Sequence, residues 1–137
     1  MIRTLLAALF LMLAAPVSAQ EVLAPNPEIE ATIDGQFDAF RAEDAPGAWA
    51  FASPNIQSLF GTPDNFARMV ERGYPMVWSP GEVDFMDLQS FGGLLVQRVR
   101  VTDAAGVVHY LGYQMIETAE GWRINGVQLL EAPDVAV

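Results

Sequence analysis

The sequence predicts an α+β domain in which N-terminal helices pack on a strongly bent antiparallel sheet. Three observations lead to this prediction. In the front half, apolar residues recur at helical spacing. After Pro80-Gly81, apolar runs alternate as strands do and are separated by turn sequences. Three of these runs change their apolar phase at about the same level, which a bulged and bent sheet explains, because a bulge moves side chains to the opposite face.

The first helix is predicted over residues 27–43. Asn26 is a suitable cap, Pro27 suits the first turn, and Glu28 complements the positive end of the helix dipole. Helical spacing places one apolar stripe on this segment, formed by Ile29, Ile33, Phe37 and Phe40. We therefore expect this stripe to face the core.

Shorter helical segments are expected at residues 48–52, 55–60 and 63–73. In the last of them, Phe66, Met69 and Val70 form the predicted buried stripe. Tyr74-Pro75 is then expected to force the chain out of helical structure, because the residue before proline disfavours the helical region.

Four strands are predicted at residues 83–91, 94–102, 107–116 and 122–130. Symmetric turns would place Val99 opposite Tyr110, and Met115 opposite Ile124. We expect Trp122 and Ile124 to be core residues.

The apolar phase of the last three strands changes near Gln97-Arg98, Leu111-Gly112 and Asn125-Gly126. In the last strand the apolar spacing is three where a regular strand needs two, so one extra residue must be absorbed there. We therefore predict a bulge at Asn125-Gly126, where a glycine would tolerate a positive φ.

The first nineteen residues are predicted to be a secretory signal peptide. A cationic start at Arg3 precedes an uncharged apolar run over residues 4–15, and Val17-Ser18-Ala19 has the small residues that a signal peptidase reads. The apolar run is too short to span a bilayer, which needs about 20 residues. Cleavage is expected after Ala19, which predicts a periplasmic or secreted protein without a membrane anchor.

The remaining chain is predicted to contain a lead at residues 20–26, one domain at 27–131 and a tail at 132–137. The sequence has no cysteine, which excludes disulfides, thiolate nucleophiles and cysteine–zinc sites. A net charge of −10 argues against nucleic acid as a partner, because phosphate binding needs a basic surface. With a single histidine and no metal-loop spacing of acidic residues, no metal or other cofactor is expected.

The order of elements resembles the cystatin-like cone of the nuclear transport factor 2-like superfamily. More narrowly, the chain resembles the exported bacterial proteins of the family called domain of unknown function 4864. The matching stretches are Phe51-Ala52-Ser53-Pro54, Phe60-Gly61-Thr62-Pro63, Gly73-Tyr74-Pro75 and Gly121-Trp122-Arg123-Ile124-Asn125-Gly126. The resemblance implies a cone-shaped cavity, and it implies no single activity, since this superfamily includes enzymes, ligand binders and dimer modules.

Binding of a small apolar ligand or a protein partner, in or around such a cavity, is the leading functional hypothesis. Its candidate ligand-binding residues are Tyr74, Trp78, Gln97, Tyr113, Gln114 and Asn125. The amides of Gln97, Gln114 and Asn125, which lie inside apolar strands, could orient a ligand. Alternatively, they satisfy backbone groups that a bulge leaves unpaired.

Two other functional classes stay open. An isomerase or dehydratase would need a carboxylate base and a tyrosine donor in one apolar cavity. The candidate donors are Tyr74, Tyr110 and Tyr113, and the candidate bases are Asp84, Asp87 and Glu117. A structural homodimer would instead use an exposed apolar face of the sheet. His109, expected opposite Arg100, is interpreted as an ordinary strand residue. Arg98 and Arg100 are expected to pair with local acidic residues such as Glu71 or Glu117.

Overall fold

Helices precede an antiparallel five-stranded sheet in the structure, a computed structural model that describes residues 20–133. The helices within this range are α1 (Pro27–Arg41), α2 (Ala45–Trp49), α3 (Pro54–Phe60), α4 (Pro63–Gly73) and α5 (Pro75–Trp78). The strands are β1 (Glu21–Leu23), β2 (Pro80–Phe91), β3 (Leu94–Asp103), β4 (Val108–Thr118) and β5 (Gly121–Leu130), in that order across the sheet. The α+β prediction is confirmed, and the sheet is curled without being closed. The predicted signal peptide lies outside the described residues.

The helix starts follow the predicted capping chemistry. The Asn26 side chain accepts hydrogen bonds from the backbone N–H groups of Glu28 and Ile29, at 3.0 and 3.3 Å. Ser53 and Thr62 cap α3 and α4 in the same manner. Each of these caps satisfies a backbone donor that the first helical turn leaves free.

The structure departs from the sequence-based description at two places. Tyr74-Pro75 does not end helical structure, because Tyr74 only interrupts it and Pro75 then occupies the first position of α5. The predicted lead contains strand β1, in which Val22 pairs with Gln89 of β2. A three-residue strand is too short to show an alternation of apolar and polar residues, so the sequence pattern does not reveal it.

The predicted pairing of Val99 with Tyr110 is wrong by one residue. Val99 lies opposite Leu111, and the register of β3 and β4 continues without a shift. The turn is longer than a symmetric four-residue loop. The Asp103 carboxylate accepts hydrogen bonds from the backbone N–H groups of Ala105 and Val107, both at 2.9 Å, and holds the longer turn.

The apolar phase does not change in β3 or β4, contrary to prediction. Gln97 and Tyr113 lie opposite each other on the face that packs against the helices, and both are buried. Because Gln97 is a polar residue on the buried face, it interrupts the apolar pattern, and this interruption resembles a change of phase. The predicted bulge in β5 is confirmed: Met115 pairs with Ile124 and Gln114 with Gly126, which leaves Asn125 as the extra residue.

A second bulge lies in β2. Phe85 pairs with Val99 and Leu88 with Gln97, so Met86 and Asp87 both stand opposite one residue, Arg98. This bulge and the one at Asn125 bend the sheet around the helices.

The core lies between α1 and the inner face of the sheet. The predicted α1 stripe is confirmed, since all four of its apolar side chains are buried. Ile124 is also buried, as predicted. Trp122 packs against the core but stays partly exposed near the start of β5, so its predicted place inside the core is corrected.

Gly126→Val is expected to change the free energy of unfolding by less than about 1 kcal/mol. Gly126 does not have a positive φ, and a Cβ atom there would meet only the Gln114 Oε1 atom, at an ordinary 3.7 Å. Gly121→Val is the contrasting variant, since Gly121 has a φ of 111° and valine would be strained by about 1–3 kcal/mol. Urea unfolding of both variants checks this, and equal losses would contradict it.

Candidate functional site

An apolar cleft of about 210 Å³ opens between α3, α4 and the bulged part of β5. Its apolar walls include Ile56, Phe60, Phe66, Met69, Ile124 and Val127. The polar side chains in the lining are those of Gln36 and Tyr74. No carboxylate, guanidinium or imidazole group lines this cleft within the described residues. The cleft therefore suits an uncharged, mostly apolar molecule.

The bulge at Asn125 determines where α3 begins. The Ser53 hydroxyl donates to Asn125 Oδ1 at 2.7 Å and accepts from the backbone N–H of Ile56 at 3.2 Å. The backbone N–H of Ser53 donates to the Ile124 carbonyl at 2.8 Å. Asn55 also donates to Asn125 Oδ1, at 3.2 Å. These bonds hold the start of α3 on β5 and so form one side of the cleft.

Tyr74 is the predicted site residue that lines the cleft. Its hydroxyl donates to the Val127 carbonyl at 3.2 Å, on the bulged strand. Its side chain is only partly buried. Trp78 lies elsewhere, packed against Phe40 and beside a separate surface pocket that includes Arg41.

The other four candidate residues do not line the cleft. Gln97 donates to the backbone carbonyls of Met86 and Arg98, at 3.0 and 2.9 Å, beside the β2 bulge. Asn125 bonds Ser53, as described above, while Gln114 lies on the outer face of the sheet, opposite Gly126. In this arrangement Gln97 and Asn125 act on the backbone and on α3, as the alternative interpretation of the amides expects.

Tyr113 is 1% exposed, and its hydroxyl has no hydrogen-bond partner among the described residues. Burial raises the pKa of this hydroxyl, and the neighbouring Tyr74 adds to the effect. Its ring packs against Phe37, with ring centroids 5.9 Å apart. The hydroxyl therefore destabilises the fold.

Tyr113→Phe is expected to raise the free energy of unfolding by about 1 kcal/mol, because it removes a buried hydroxyl without a partner. The difference should widen above about pH 10, where the unfolded chain ionises this tyrosine and the folded chain keeps it protonated. Urea unfolding at pH 8 and pH 10.5 measures both effects. A variant less stable than the wild type would show that the hydroxyl has a partner.

The candidate acidic residues lie away from the cleft. Asp87 accepts from Arg98 at 2.6 Å, and Asp84 accepts from Arg100 at 3.1 Å. Burial opposes ionisation of Asp87, but hydrogen bonds from Gln89 and Arg98 hold the pKa of this carboxyl below its ordinary value. Glu117 is exposed. Both arginines pair with local acidic residues, as predicted, but their partners are Asp87 and Asp84 in place of Glu71 or Glu117.

His109 belongs to the β3–β4 hairpin, far from the cleft lining. Its Nε2 atom lies 2.8 Å from Asp103 Oδ2, and this hydrogen bond lowers the pKa of Asp103. Val101, and not Arg100, lies opposite His109, which corrects the predicted register at this position.

Sequence reasoning missed Gln36. It lies on the buried side of α1, three residues after Ile33, and it is 4% exposed. The available signal was this helical position, because a glutamine on an apolar stripe must find polar partners or face a cavity.

The model of one protein family matches residues 23–137, and this match covers most of the chain. The chain belongs to the family described as Domain of unknown function (DUF4864). The predicted family resemblance is thereby confirmed. No curated protein and no solved structure matches this DUF4864 domain.

Two further observations describe the DUF4864 domain. None of the helices within residues 20–133 has the length and apolar content needed to cross a bilayer. In the same range, no three His, Cys, Asp or Glu side chains come together as ligands for a metal ion.

Proposed function

We propose that this DUF4864 domain binds a small apolar ligand in the cleft between α3, α4 and β5. The observation that carries the proposal is the lining itself: apolar walls with the amide of Gln36 and the ring of Tyr74, and no charged group from the part of the chain that the structure describes. Ligand sites typically combine apolar walls with a few directed polar groups.

The size of the cleft sets the size of the ligand. An engineered apolar cavity of about 150 Å³ binds benzene in another protein. A cleft of about 210 Å³ therefore suits a molecule with one substituted ring or a comparable branched chain.

The lining favours binding over catalysis. An isomerase-type mechanism needs a carboxylate base beside its tyrosine. Tyr74 lines the cleft, but its hydroxyl is already bonded to the Val127 carbonyl. The candidate bases Asp84 and Asp87 are paired with arginines.

Exposed apolar side chains do not favour the homodimer alternative. Phe91 and Leu94 lie at the β2–β3 turn, whereas Val107 and Val108 lie at the β3–β4 turn, at the opposite end of β3. These four side chains are thus divided between the two ends of β3. A homodimer or another protein partner stays a prediction, which sedimentation velocity would test.

Titration of 4-fluorotoluene, followed by fluorine NMR, tests the ligand proposal directly. The wild-type protein is expected to bind this probe in fast exchange and to lose binding on Ile56→Trp, which fills the cleft. Ser58→Trp is the matched control, because Ser58 is exposed on the same helix and does not line the cleft. Wild-type protein that binds neither this probe nor its hydroxyl analogue 4-fluorophenol, or equal loss in both variants, would overturn the proposal.

We also propose that the protein is exported and that its fold is that of the nuclear transport factor 2-like superfamily. Support for the second point is the order of elements, with helices preceding a curled antiparallel sheet. Support for export is the pattern of the first nineteen residues.

The exported protein is expected to begin at Gln20, because the small residues before it meet the requirement of signal peptidase. N-terminal sequencing of protein from a periplasmic or culture-medium fraction checks this. Membrane-bound protein that retains Met1 would contradict export by cleavage.

A further inference from the structure

The amide group of Gln36 has a fixed orientation. Its Nε2 atom donates to the Ala48 carbonyl oxygen at 3.2 Å. A carbonyl oxygen only accepts hydrogen bonds, so the nitrogen side of the amide must face Ala48. The Oε1 atom is therefore the part of the amide that remains available to another molecule.

The Oε1 atom of Gln36 accepts no hydrogen bond from the described residues. Within the described range, the fully enclosed side-chain polar atom without a hydrogen-bond partner is the Tyr113 hydroxyl. Gln36 Oε1 also has no partner but is not fully enclosed, so it remains accessible from outside the protein. Since Gln36 is 96% buried (4% exposed) and lines the cleft, its unpaired oxygen is reached from the cleft. An unpaired acceptor in an apolar site favours a ligand that supplies a donor.

The charges around the cleft exclude apolar ligands that carry a carboxylate. A carboxylate would need a cationic partner on leaving water. No basic side chain of residues 20–133 lines the cleft, and the chain carries a net charge of −10.

We propose that the ligand is a neutral molecule of about one ring with a single hydroxyl group, which donates to Gln36 Oε1. This inference rests on the proposed function and specifies its ligand class. The Tyr74 ring and the apolar walls contact the rest of the molecule, and no covalent step takes place.

Three fluorinated probes of nearly equal size test the inference on the purified protein by fluorine NMR titration. 4-Fluorophenol supplies a donor, 4-fluorotoluene replaces the hydroxyl by methyl, and 4-fluorobenzoate carries a negative charge. The wild-type protein is expected to bind the phenol and the toluene, and to bind the benzoate at least tenfold more weakly than the phenol.

Gln36→Leu tests the role of the Oε1 acceptor, because leucine has a similar size but cannot accept a hydrogen bond. The Ala48 carbonyl would still accept from the backbone N–H of Phe51 at 3.2 Å, so the variant leaves no carbonyl without a partner. We expect it to weaken 4-fluorophenol binding about tenfold and to leave 4-fluorotoluene binding unchanged or tighter. Gln57→Leu is the matched control, because Gln57 donates to the Trp49 carbonyl and does not line this cleft.

The outcomes separate the two proposals. An unchanged ratio of phenol to toluene affinity in Gln36→Leu, or benzoate binding as tight as the phenol, would overturn the inference while the cleft remains a ligand site. Failure of the wild type to bind any of the probes would overturn the proposed function as well. If Gln36→Leu does not fold, wild-type protein is titrated with 4-fluoroanisole instead. The methyl ether of this probe cannot donate a hydrogen bond, so the inference requires 4-fluoroanisole to bind more weakly than 4-fluorophenol.

Discussion

Phe40→Ala is expected to lower the free energy of unfolding by about 3–5 kcal/mol. Phe40 is 1% exposed and lies on α1, where its ring centroid is 6.0 Å from that of Phe66 and 5.8 Å from that of Trp78. Removing the ring would leave a cavity where α1, α4 and α5 meet. The neighbouring aromatic rings are too rigid to fill such a cavity completely.

Urea unfolding followed by circular dichroism measures this loss. Phe91→Ala is the matched control, because the same side chain is removed from a position that is 38% exposed at the β2–β3 turn. We expect the control to lose less than about 1 kcal/mol, as surface substitutions generally do. Similar losses for the two variants would contradict the described core.

Gln97→Met is expected to lower the free energy of unfolding by about 2–4 kcal/mol. Gln97 is 1% exposed, and its Nε2 atom donates to the carbonyls of Met86 and Arg98, with a longer contact of 3.4 Å to that of Asp87. Methionine has a similar length but cannot donate, so the substitution removes these part-buried hydrogen bonds from the backbone carbonyls. An acceptor that loses its partner away from water costs about 1–3 kcal/mol.

Gln128→Met is the matched control, because Gln128 is exposed on β5 and makes no side-chain hydrogen bond with the described residues. Chemical unfolding of both variants gives the comparison. If Gln97→Met were as stable as the wild type, Gln97 would not be stabilising the β2 bulge, and its assignment as a structural residue would be wrong.

Elements with local causes could be predicted from the sequence. Helix α1 follows from the Asn26 cap and its apolar stripe, and both signals lie within the helix itself. The register of β3 and β4 could not be predicted, because the Asp103 side chain stabilises a longer turn than the symmetric one. The bulge at Asn125 could be predicted, since one extra residue changes the spacing of apolar residues along a strand.

Less of the candidate site could be predicted. Tyr74 was identified, but the position of α3 depends on a bond between Ser53 and Asn125, which are 72 residues apart. Gln36 was not identified, because a single glutamine on a helix gives no indication of whether it meets a backbone carbonyl or a cavity. Such facts depend on tertiary packing, which no local pattern encodes.

The extra residue in β5 determines which changes of sequence the domain can accept. Substituting Asn125 would alter its bonds to the start of α3, but the strand would keep its length. Deleting it would keep Gly126 and Val127 opposite their present partners in β4, but it would remove the bulge and the Asn125 bonds that hold the start of α3. A change of chain length at this point therefore alters the bend of the sheet and the position of α3, while each side chain stays on its present face. Insertions and deletions among relatives should instead fall in exposed turns such as Gly92-Gly93.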